Sequence, residues 1–369
     1  MSSPAPQPGI LDIAAYVGGE SAIKGAKKVI KLSSNEGALG VPDAAQSAFA
    51  ELAAELHRYP DGGSTALRHA IAEAHGVDAE RIVCGHGSDE IISLLCQSYA
   101  GPGDEVLYSA HGFLMYAISA KAAGATPVAA PETDLTADVD ALLTAVTERT
   151  RLLFLANPNN PTGSLVSGSE LNRLRRELRD DILLVVDAAY AEYIDDADYE
   201  SGQAMVEAAD NVVMTRTFSK IYGLGGLRLG WGYGPPAVVD VLNRVRGPFN
   251  VSAAALAAGL AAVGDTEFLA RSRAHNDQWR AWTRENLQVL GLTVPPSAGN
   301  FLLVCFAGAD GHDAEAADEF LKGRGIIIRR MAGYGLPDCL RISIGLEDEM
   351  RAVVSALAAF LGKNEETAS

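Results

Sequence analysis

The chain has 369 residues, of which 48% are hydrophobic and 21% are charged, a composition typical of globular proteins and too apolar for a disordered polymer. At about 150 residues per domain, this length predicts two domains. With 30 basic and 47 acidic residues, the formal net charge is −17. An acidic surface of this kind argues against a nucleic-acid partner, but it leaves room for a local site that binds a small anion.

The sequence predicts neither export nor membrane insertion. Residues 1–16 contain an aspartate and no basic side chain, so they lack the charged start of a signal peptide. The longest uncharged stretches, 247–264 and 286–309, are interrupted by proline and asparagine and are too weakly apolar to predict a membrane helix. We therefore expect a cytoplasmic protein.

The cysteines are scattered through the chain: Cys84, Cys96, Cys305 and Cys339. None belongs to a C-x-x-C pair or to a spacing typical of metal ligands. We expect all of them to be buried thiols in a reducing compartment, and we expect no metal site.

Short apolar runs in the first two thirds of the chain predict strands at residues 81–84, 105–108, 126–129, 151–156, 182–187, 212–215 and 226–233. Helical patterns lie between them at residues 89–100, 112–123, 137–146 and 167–179. Several runs are continuously apolar, which is typical of strands buried on both faces. The alternation of strands and helices predicts an α/β fold with a doubly wound, mostly parallel sheet.

The pattern changes after residue 262. A long helical stretch at 266–290 ends at a glycine, as a helix C-terminus often does. Further strands are predicted at 301–304, 326–328 and 340–344, and further helices at 312–322 and 348–361. We interpret residues 36–262 as a large domain and 263–369 as a smaller α+β domain. Residues 1–35 are expected to pack on the small domain or to cross the cleft.

Ligands of open α/β sheets bind beyond the carboxyl ends of the strands, and two polar junctions there are rich in turn-forming residues. In Gly85-His-Gly87-Ser88-Asp89, small residues precede a helix whose first N–H groups suit an anion. The segment 157–163 (Asn-Pro-Asn-Asn-Pro-Thr-Gly) is stiffened by two prolines. Each junction alone is compatible with an ordinary turn.

Two later junctions carry charge. Asp187 ends a fully apolar strand, where a carboxylate is costly unless it meets a cation, although a helix cap would also explain it. Lys220 follows another buried strand, with hydroxyls at Thr217 and Ser219 and a guanidinium at Arg228. This combination suits a phosphate group beside a nucleophilic amine.

Taken in chain order, Asn160, Asp187, Tyr190, Lys220 and Arg228 resemble the active-site set of fold-type I pyridoxal-phosphate aminotransferases, over most of the chain. The resemblance implies that Lys220 bonds to the cofactor and moves the substrate proton, and that Asp187 pairs with the ring nitrogen. A protonated nitrogen makes the ring an electron sink. Asn160 and Tyr190 would bond the ring hydroxyl. The implied phosphate cradle consists of Ser88, Asp89, Ser219 and Arg228.

Outlying segments resemble the histidinol-phosphate aminotransferase branch of that family: 31–36, 58–60, 111–116 and 335–345. This resemblance implies that Phe113 stacks on the cofactor ring and that the enzyme is a homodimer in which Tyr59 reaches the partner's cofactor phosphate. The residues implied for the substrate are Tyr16, Asn35, Arg329 and Arg341.

Three motifs depart from their usual form in this branch. Gly37-Ala38 replaces Asn-Pro, Ala188 replaces glutamate, and Phe113 replaces the stacking tyrosine. None of these changes removes an implied catalytic group.

The activity implied by the resemblance is reversible amino transfer from histidinol phosphate to 2-oxoglutarate, giving imidazole-acetol phosphate and glutamate in histidine biosynthesis. Two alternatives stay open on the sequence: an aromatic amino-acid aminotransferase, and a pyridoxal-phosphate decarboxylase of a phosphorylated amino acid. A non-catalytic regulator is disfavoured because Lys220 is present.

Overall fold

The computed structural model describes residues 5–15, 18–23, 29–306, 308 and 311–363. The strands in these ranges are β1 (Ile30–Lys31), β2 (Ile82–Gly85), β3 (Glu105–Ser109), β4 (Thr126–Ala130), β5 (Glu132–Thr133), β6 (Thr136–Ala137), β7 (Thr150–Ala156), β8 (Leu183–Asp187), β9 (Val212–Thr217), β10 (Gly230–Tyr233), β11 (Phe301–Cys305), β12 (Ile326–Ile327), β13 (Arg329–Arg330) and β14 (Cys339–Ser343). The helices are α1 (Asp43–Leu52), α2 (Thr65–His75), α3 (Ser88–Tyr99), α4 (Leu114–Ala122), α5 (Val139–Ala145), α6 (Gly168–Glu177), α7 (Gln203–Ala208), α8 (Pro236–Val245), α9 (Ala253–Val263), α10 (Thr266–Val289), α11 (Ala314–Lys322) and α12 (Glu347–Phe360).

A seven-stranded sheet in the order β2-β10-β9-β8-β7-β3-β4 forms the centre of the molecule. The neighbouring pairs among β3, β4, β7, β8 and β9 are parallel, whereas β10 runs antiparallel to β2 and β9. The α/β fold with a mostly parallel sheet is therefore confirmed. Every residue of β8 is buried, in agreement with its continuous apolar sequence. The carboxyl ends of β7, β8 and β9 lie side by side, which places the polar residues after these strands at one edge.

Apolar side chains cover both faces of this sheet. One face packs in a core with α2, α6 and α9, for example through Ile71, Leu171 and Ala258. The other face packs against α3, α4 and α8, for example through Leu95 and Tyr116. Since both faces are covered, the functional groups of the sheet must lie at its ends.

A second core surrounds the three-stranded sheet β11-β14-β13 and includes residues of α10, α11 and α12. The N-terminal strand β1 pairs in parallel with β12, and Leu32 is buried in this second core. The segment before residue 35 thus contacts the C-terminal part of the chain. The domain boundaries at residues 35 and 262 stay predictions.

The predicted strand at 226–233 begins later than expected. Residues Gly225–Leu227 form a 3-10 turn, and Arg228 has a left-handed backbone with φ 53°, so the extended conformation starts only at Gly230. The backbone of Arg228 departs from the extended conformation, which places its side chain in the cavity described below.

The expectation of four free thiols is wrong for two of the cysteines. Cys305 and Cys339 form a disulfide, because they lie directly opposite each other on the antiparallel strands β11 and β14. Cys84 and Cys96 are buried free thiols, as expected. Their burial raises the pKa of both thiols to about 12, so they stay protonated and unreactive at neutral pH.

No single helix in the described part of the chain is long and apolar enough to cross a membrane. The helices α9 and α10 reach such a length and hydrophobicity only when they are taken together, and the chain bends by 80° between them.

Candidate active site

A cavity of about 200 Å³ lies at the carboxyl ends of β7, β8 and β9, between the central sheet and the second core. Most of the residues that the sequence singled out line this one cavity: Asn35, Ser88, Asp89, Phe113, Asn160, Asp187, Tyr190, Ser219, Lys220, Arg228, Arg329 and Arg341. Their positions span almost the whole chain, so the fold brings them together from separate elements.

Lys220 follows β9 and lies on the floor of the cavity. Its Nζ is 3.4 Å from the carbonyl oxygen of Ser34 and 5.7 Å from the ring centroid of Tyr190. Burial lowers the pKa of Lys220 to about 8, and the positive charge of Arg341 acts in the same direction. A large share of the amine is therefore neutral near pH 8 and able to act as a nucleophile or base.

Asp187 is the last residue of β8 and is 5% exposed. Its two carboxylate oxygens accept hydrogen bonds from different hydroxyls, Tyr116 at 2.7 Å and Thr215 at 3.0 Å. Burial raises the pKa of Asp187, while these two donors lower it. Among the described residues, no lysine, arginine or histidine forms a salt bridge with this carboxylate. It is thus a buried acid that is prepared for a cationic partner.

Tyr190 and Asn35 form a hydrogen-bonded wall of the cavity. The Asn35 side-chain amide donates to the Tyr190 hydroxyl at 2.9 Å, and the Asn35 backbone N–H donates to Ser343 Oγ at 2.7 Å. Burial raises the pKa of Tyr190 to about 12, so its hydroxyl keeps its proton at neutral pH. Asn35 has a left-handed backbone with φ 54°, a conformation that asparagine tolerates. The wall therefore joins the N-terminal segment to both cores.

A group of hydrogen-bond donors that could hold an anion lies where α3 begins. Arg228 donates to Ser219 Oγ at 3.2 Å and to Asp89 Oδ2 at 2.9 Å, beside the first residues of this helix. Gly87 has φ +79°, and a Cβ at this position would lie 2.7 Å from Arg228 Nη2. Free N–H groups at a helix N-terminus attract anions, and the guanidinium and the Ser219 hydroxyl add donors.

Two arginines face the cavity from the second core. Arg341 is 6% exposed and donates to the carbonyl oxygen of Ser33 at 3.0 Å and to the side-chain oxygen of Asn160. Arg329 is its register partner on the neighbouring strand β13. The two guanidinium groups thus reach the side of the cavity opposite the central sheet, where they can bind a second anion.

Two predicted residues are not among those that line the cavity. Tyr59 is 83% exposed and stacks on Phe249 with ring centroids 4.8 Å apart. Its predicted role involves a partner subunit, so it stays a prediction. Tyr16 lies outside the described residues, and its predicted substrate contact stays a prediction as well.

Three residues of the site were not predicted from the sequence: Tyr116, Thr215 and Tyr334. Tyr116 and Thr215 are the two donors to Asp187, and Tyr334 lines the cavity between the two arginines in chain order. The sequence does indicate a role for Thr215, since a hydroxyl within the apolar run of β9 requires a buried hydrogen-bond partner. The phenol of Tyr116 gave no such signal, because an aromatic residue at helical spacing usually indicates core packing.

Among the described residues, no group of three or more histidine, cysteine, aspartate or glutamate side chains could hold a metal ion. The polar groups that line the cavity include an amine, carboxylates, phenols and guanidinium groups.

Comparison with known proteins relates this chain to aminotransferases in both sequence and structure. Residues 27–357 match the family described as aminotransferase class I and II. A histidinol-phosphate aminotransferase from Paramagnetospirillum magneticum is 62% identical over 98% of this chain and 100% of its own length. The protein of the same name from Rhodospirillum rubrum is 60% identical over 97% of each chain. The crystal structure of histidinol-phosphate aminotransferase from Sinorhizobium meliloti in complex with pyridoxal-5'-phosphate has a TM-score of 0.89, with 28% identity over 98% of both chains.

Proposed function

Because the chain belongs to the class I and II aminotransferase family, we propose that it transfers the amino group of histidinol phosphate to 2-oxoglutarate. Its cofactor is pyridoxal 5'-phosphate, and the products are imidazole-acetol phosphate and glutamate, as in histidine biosynthesis. The observation that carries this proposal is one cavity lined by a lysine of lowered pKa, a buried carboxylate and two separate groups of donors, one around Arg228 and one around Arg329 and Arg341, that could each bind an anion. Relatives that share 60–62% of its residues bear this activity in their names.

The residues of the cavity fit the cofactor. The cradle offers a phosphate the backbone N–H groups of Ser88 and Asp89 at the start of α3, the Ser219 hydroxyl and the Arg228 guanidinium, and the positive φ at position 87 requires a glycine. Asp187 would hold the ring nitrogen, since it is buried and forms no salt bridge within the described part of the chain. The remaining cofactor contacts in this proposal are the Asn160 and Tyr190 side chains at the ring hydroxyl, Phe113 against the ring face and Lys220 as the covalent attachment.

When bound, the cofactor supplies an electron sink for the electron pair left on the substrate Cα after its proton is removed. The protein supplies the remaining chemistry. Asp187 keeps a proton on the ring nitrogen through a charge-assisted hydrogen bond. Lys220 Nζ, once the substrate amine has taken its place on the cofactor, would take the proton from Cα and deliver it to the cofactor carbon on the far side of the shared nitrogen. This task suits a base whose pKa is close to the working pH. Tyr190, held by Asn35, fixes the plane in which this transfer takes place.

The second anion site selects the substrate. Arg329 and Arg341 would bind the phosphate of histidinol phosphate in one half-reaction and a carboxylate of glutamate in the other. A guanidinium pair suits both anions, because each can accept two parallel hydrogen bonds. Asn35 and Tyr16 are assigned to the substrate side of the cavity in this proposal.

The proposal also covers assembly and location. The enzyme acts as a homodimer in which Tyr59 contacts the partner's cofactor phosphate, and it works in the cytoplasm. The exposed Tyr59–Phe249 pair supports such a contact, because exposed stacked aromatic rings often mark an interface. The Cys305–Cys339 disulfide is unusual for a reducing compartment, so alkylation of free thiols in intact cells tests the location directly.

A donor screen with 2-oxoglutarate as acceptor tests the activity. We expect histidinol phosphate to be turned over much faster than phenylalanine or tyrosine, with one glutamate formed per donor consumed. Borohydride treatment of the loaded protein should fix the cofactor to the peptide that contains Lys220. Preferred turnover of an aromatic amino acid, or carbon dioxide release without glutamate, would contradict the proposed substrate or reaction.

A further inference from the structure

The phenol of Tyr116 is fixed behind the carboxylate of Asp187. Tyr116 lies in the first turn of α4 and is fully buried, outside the lining of the cavity. Its ring stacks on Phe154 of β7 with centroids 4.7 Å apart and planes 9° from parallel. Its hydroxyl donates to Asp187 Oδ2 at 2.7 Å. The stacked ring leaves the phenol little freedom, so the hydroxyl occupies one defined position.

The two donors to Asp187 come from different parts of the fold. Thr215 is the register partner of Asp187 on the neighbouring strand β9, so its hydroxyl position follows from strand pairing. Tyr116 comes from α4, a helix that begins directly after Phe113. The Phe113 and Tyr116 rings meet edge to face at 5.9 Å. The start of α4 therefore positions both Phe113, whose ring faces the cavity, and Tyr116, which donates to Asp187 from behind.

The direction of the hydrogen bond follows from charge. Burial raises the pKa of Tyr116 far above its ordinary value, and the adjacent negative carboxylate adds to this effect. The phenol therefore keeps its proton and donates a hydrogen bond to Asp187. A donor on each oxygen stabilises the ionised form of Asp187 without neutralising it. The two donors therefore oppose the rise in the pKa of Asp187 that burial causes, and they favour the charged form towards a cation on the cavity side.

We propose that Tyr116 is a positioning residue that acts through Asp187: its hydroxyl holds the carboxylate ionised and oriented towards the ring nitrogen of the cofactor. This inference rests on the proposed function, because it assigns the cavity to pyridoxal phosphate. If the phenol is lost, the carboxylate becomes more basic, and the shared proton moves from the ring nitrogen towards Asp187. The electron sink is then weaker, whereas substrate contacts in the cavity are unchanged.

The test compares wild-type holoenzyme with Tyr116→Phe, which keeps the stacked ring and removes only the hydroxyl. Both proteins are loaded with pyridoxal phosphate labelled with ¹⁵N in the ring, and the nitrogen resonance is recorded. We expect the Tyr116→Phe resonance to move towards the unprotonated position. We also expect kcat to fall by at least about 10-fold, the size of effect typical of a lost hydrogen bond to a charged group, with little change in KM.

Tyr108→Phe is the matched control. The Tyr108 ring lies 6.2 Å from the Tyr116 ring, yet it is not one of the donors to Asp187 and does not line the cavity. Loss of the Tyr108 hydroxyl should leave the nitrogen resonance and kcat unchanged. If Tyr116→Phe fails to fold, a ring-fluorinated tyrosine at position 116 provides the second measurement. As a stronger donor it should move the resonance in the opposite direction, towards the protonated position.

An unchanged resonance in Tyr116→Phe, or in the fluorinated protein, would refute the positioning role even if stability or activity fell. A wild-type protein that takes up the cofactor but does not use histidinol phosphate would contradict the proposed substrate and leave this inference intact. A wild-type protein that takes up no cofactor would contradict both.

Discussion

Arg329 and Arg341 lie directly opposite each other on the neighbouring antiparallel strands β13 and β14, and both line the cavity that holds Lys220. Register partners on antiparallel strands place their side chains on the same face. The two guanidinium groups therefore bring positive charge to the same side of the cavity, an arrangement that suits an anionic ligand.

The first prediction concerns Arg329. Arg329→Ala should raise KM for histidinol phosphate by about 30-fold or more, since removal of one partner from a desolvated charge pair costs about 2–5 kcal/mol. Steady-state kinetics on histidinol phosphate and phenylalanine measure this effect, and phenylalanine should hardly respond. Arg330→Ala is the control, because the neighbouring Arg330 is exposed and paired with Glu315. Equal losses in both variants would argue against a substrate role.

The second prediction concerns the pH dependence of stability. The pKa of Lys220 is about 8 in the folded protein and 10.5 as its ordinary value. The folded state therefore disfavours the protonated form of Lys220, which lowers the free energy of unfolding. This loss is fully present below pH 8 and disappears as the pH rises to 10.5. Without added cofactor, Lys220→Met should increase the free energy of unfolding by up to about 3 kcal/mol at pH 7.

Urea unfolding at pH 7 and at pH 10.5 measures this difference, which should shrink at the higher pH. Lys121→Met should show no comparable pH-dependent gain, since the ammonium of Lys121 donates to the carbonyl oxygen of Asp12 at an exposed position where water can hydrate it. A Lys220→Met protein that is less stable than wild type at pH 7 would show that the buried amine is not a destabilising charge.

The third prediction concerns the anion cradle. Gly87→Ala should weaken binding of pyridoxal phosphate by about 10-fold or more, because the new Cβ collides with Arg228 and the positive φ is strained for alanine. Gly226→Ala is a matched control in the neighbouring turn, where a Cβ has nothing within 4 Å. Equilibrium titration of the cofactor, followed by its absorbance, gives both dissociation constants. Equal affinities in the two variants would exclude a tight cradle at Gly87.

The fourth prediction concerns the disulfide. Cys305 and Cys339 are 34 residues apart in sequence, so closing this loop should contribute about 3–4 kcal/mol to stability through the unfolded state. Reduction with a phosphine should lower the urea midpoint accordingly, and a Cys305→Ser, Cys339→Ser double variant should match the reduced protein. If reduction leaves the midpoint unchanged, the bridge does not stabilise the fold.

Sequence patterns predicted the elements whose burial is uniform. The strands β3, β7 and β8 begin and end within a residue or two of the predicted runs, because each has a continuous apolar and buried centre. The start of β10 could not be predicted in this way, since it depends on the left-handed backbone of Arg228, which hydrophobicity does not encode.

The same distinction applies to the site. Lys220 and Asp187 could be predicted because each stands at or shortly after the end of an apolar strand, in an order and spacing that resembles the aminotransferase set. Tyr116 could not, because its partner Asp187 is 71 residues away and comes close only after the sheet has formed. The Cys305–Cys339 pair is similar, since only the register of β11 and β14 reveals it.

The pairing of β1 with β12 has a consequence for how the protein is made. Asn35 and Ser343 are hydrogen-bonded although they are 308 residues apart, and a ribosome delivers the first long before the second. The N-terminal strand must remain without its partner while nearly all of the chain is synthesised, and contacts of this range close slowly. A nascent chain halted before β12 would already contain Lys220 and Asp187 but not Arg341, and its unpaired β1 edge would be a natural point for a chaperone to bind.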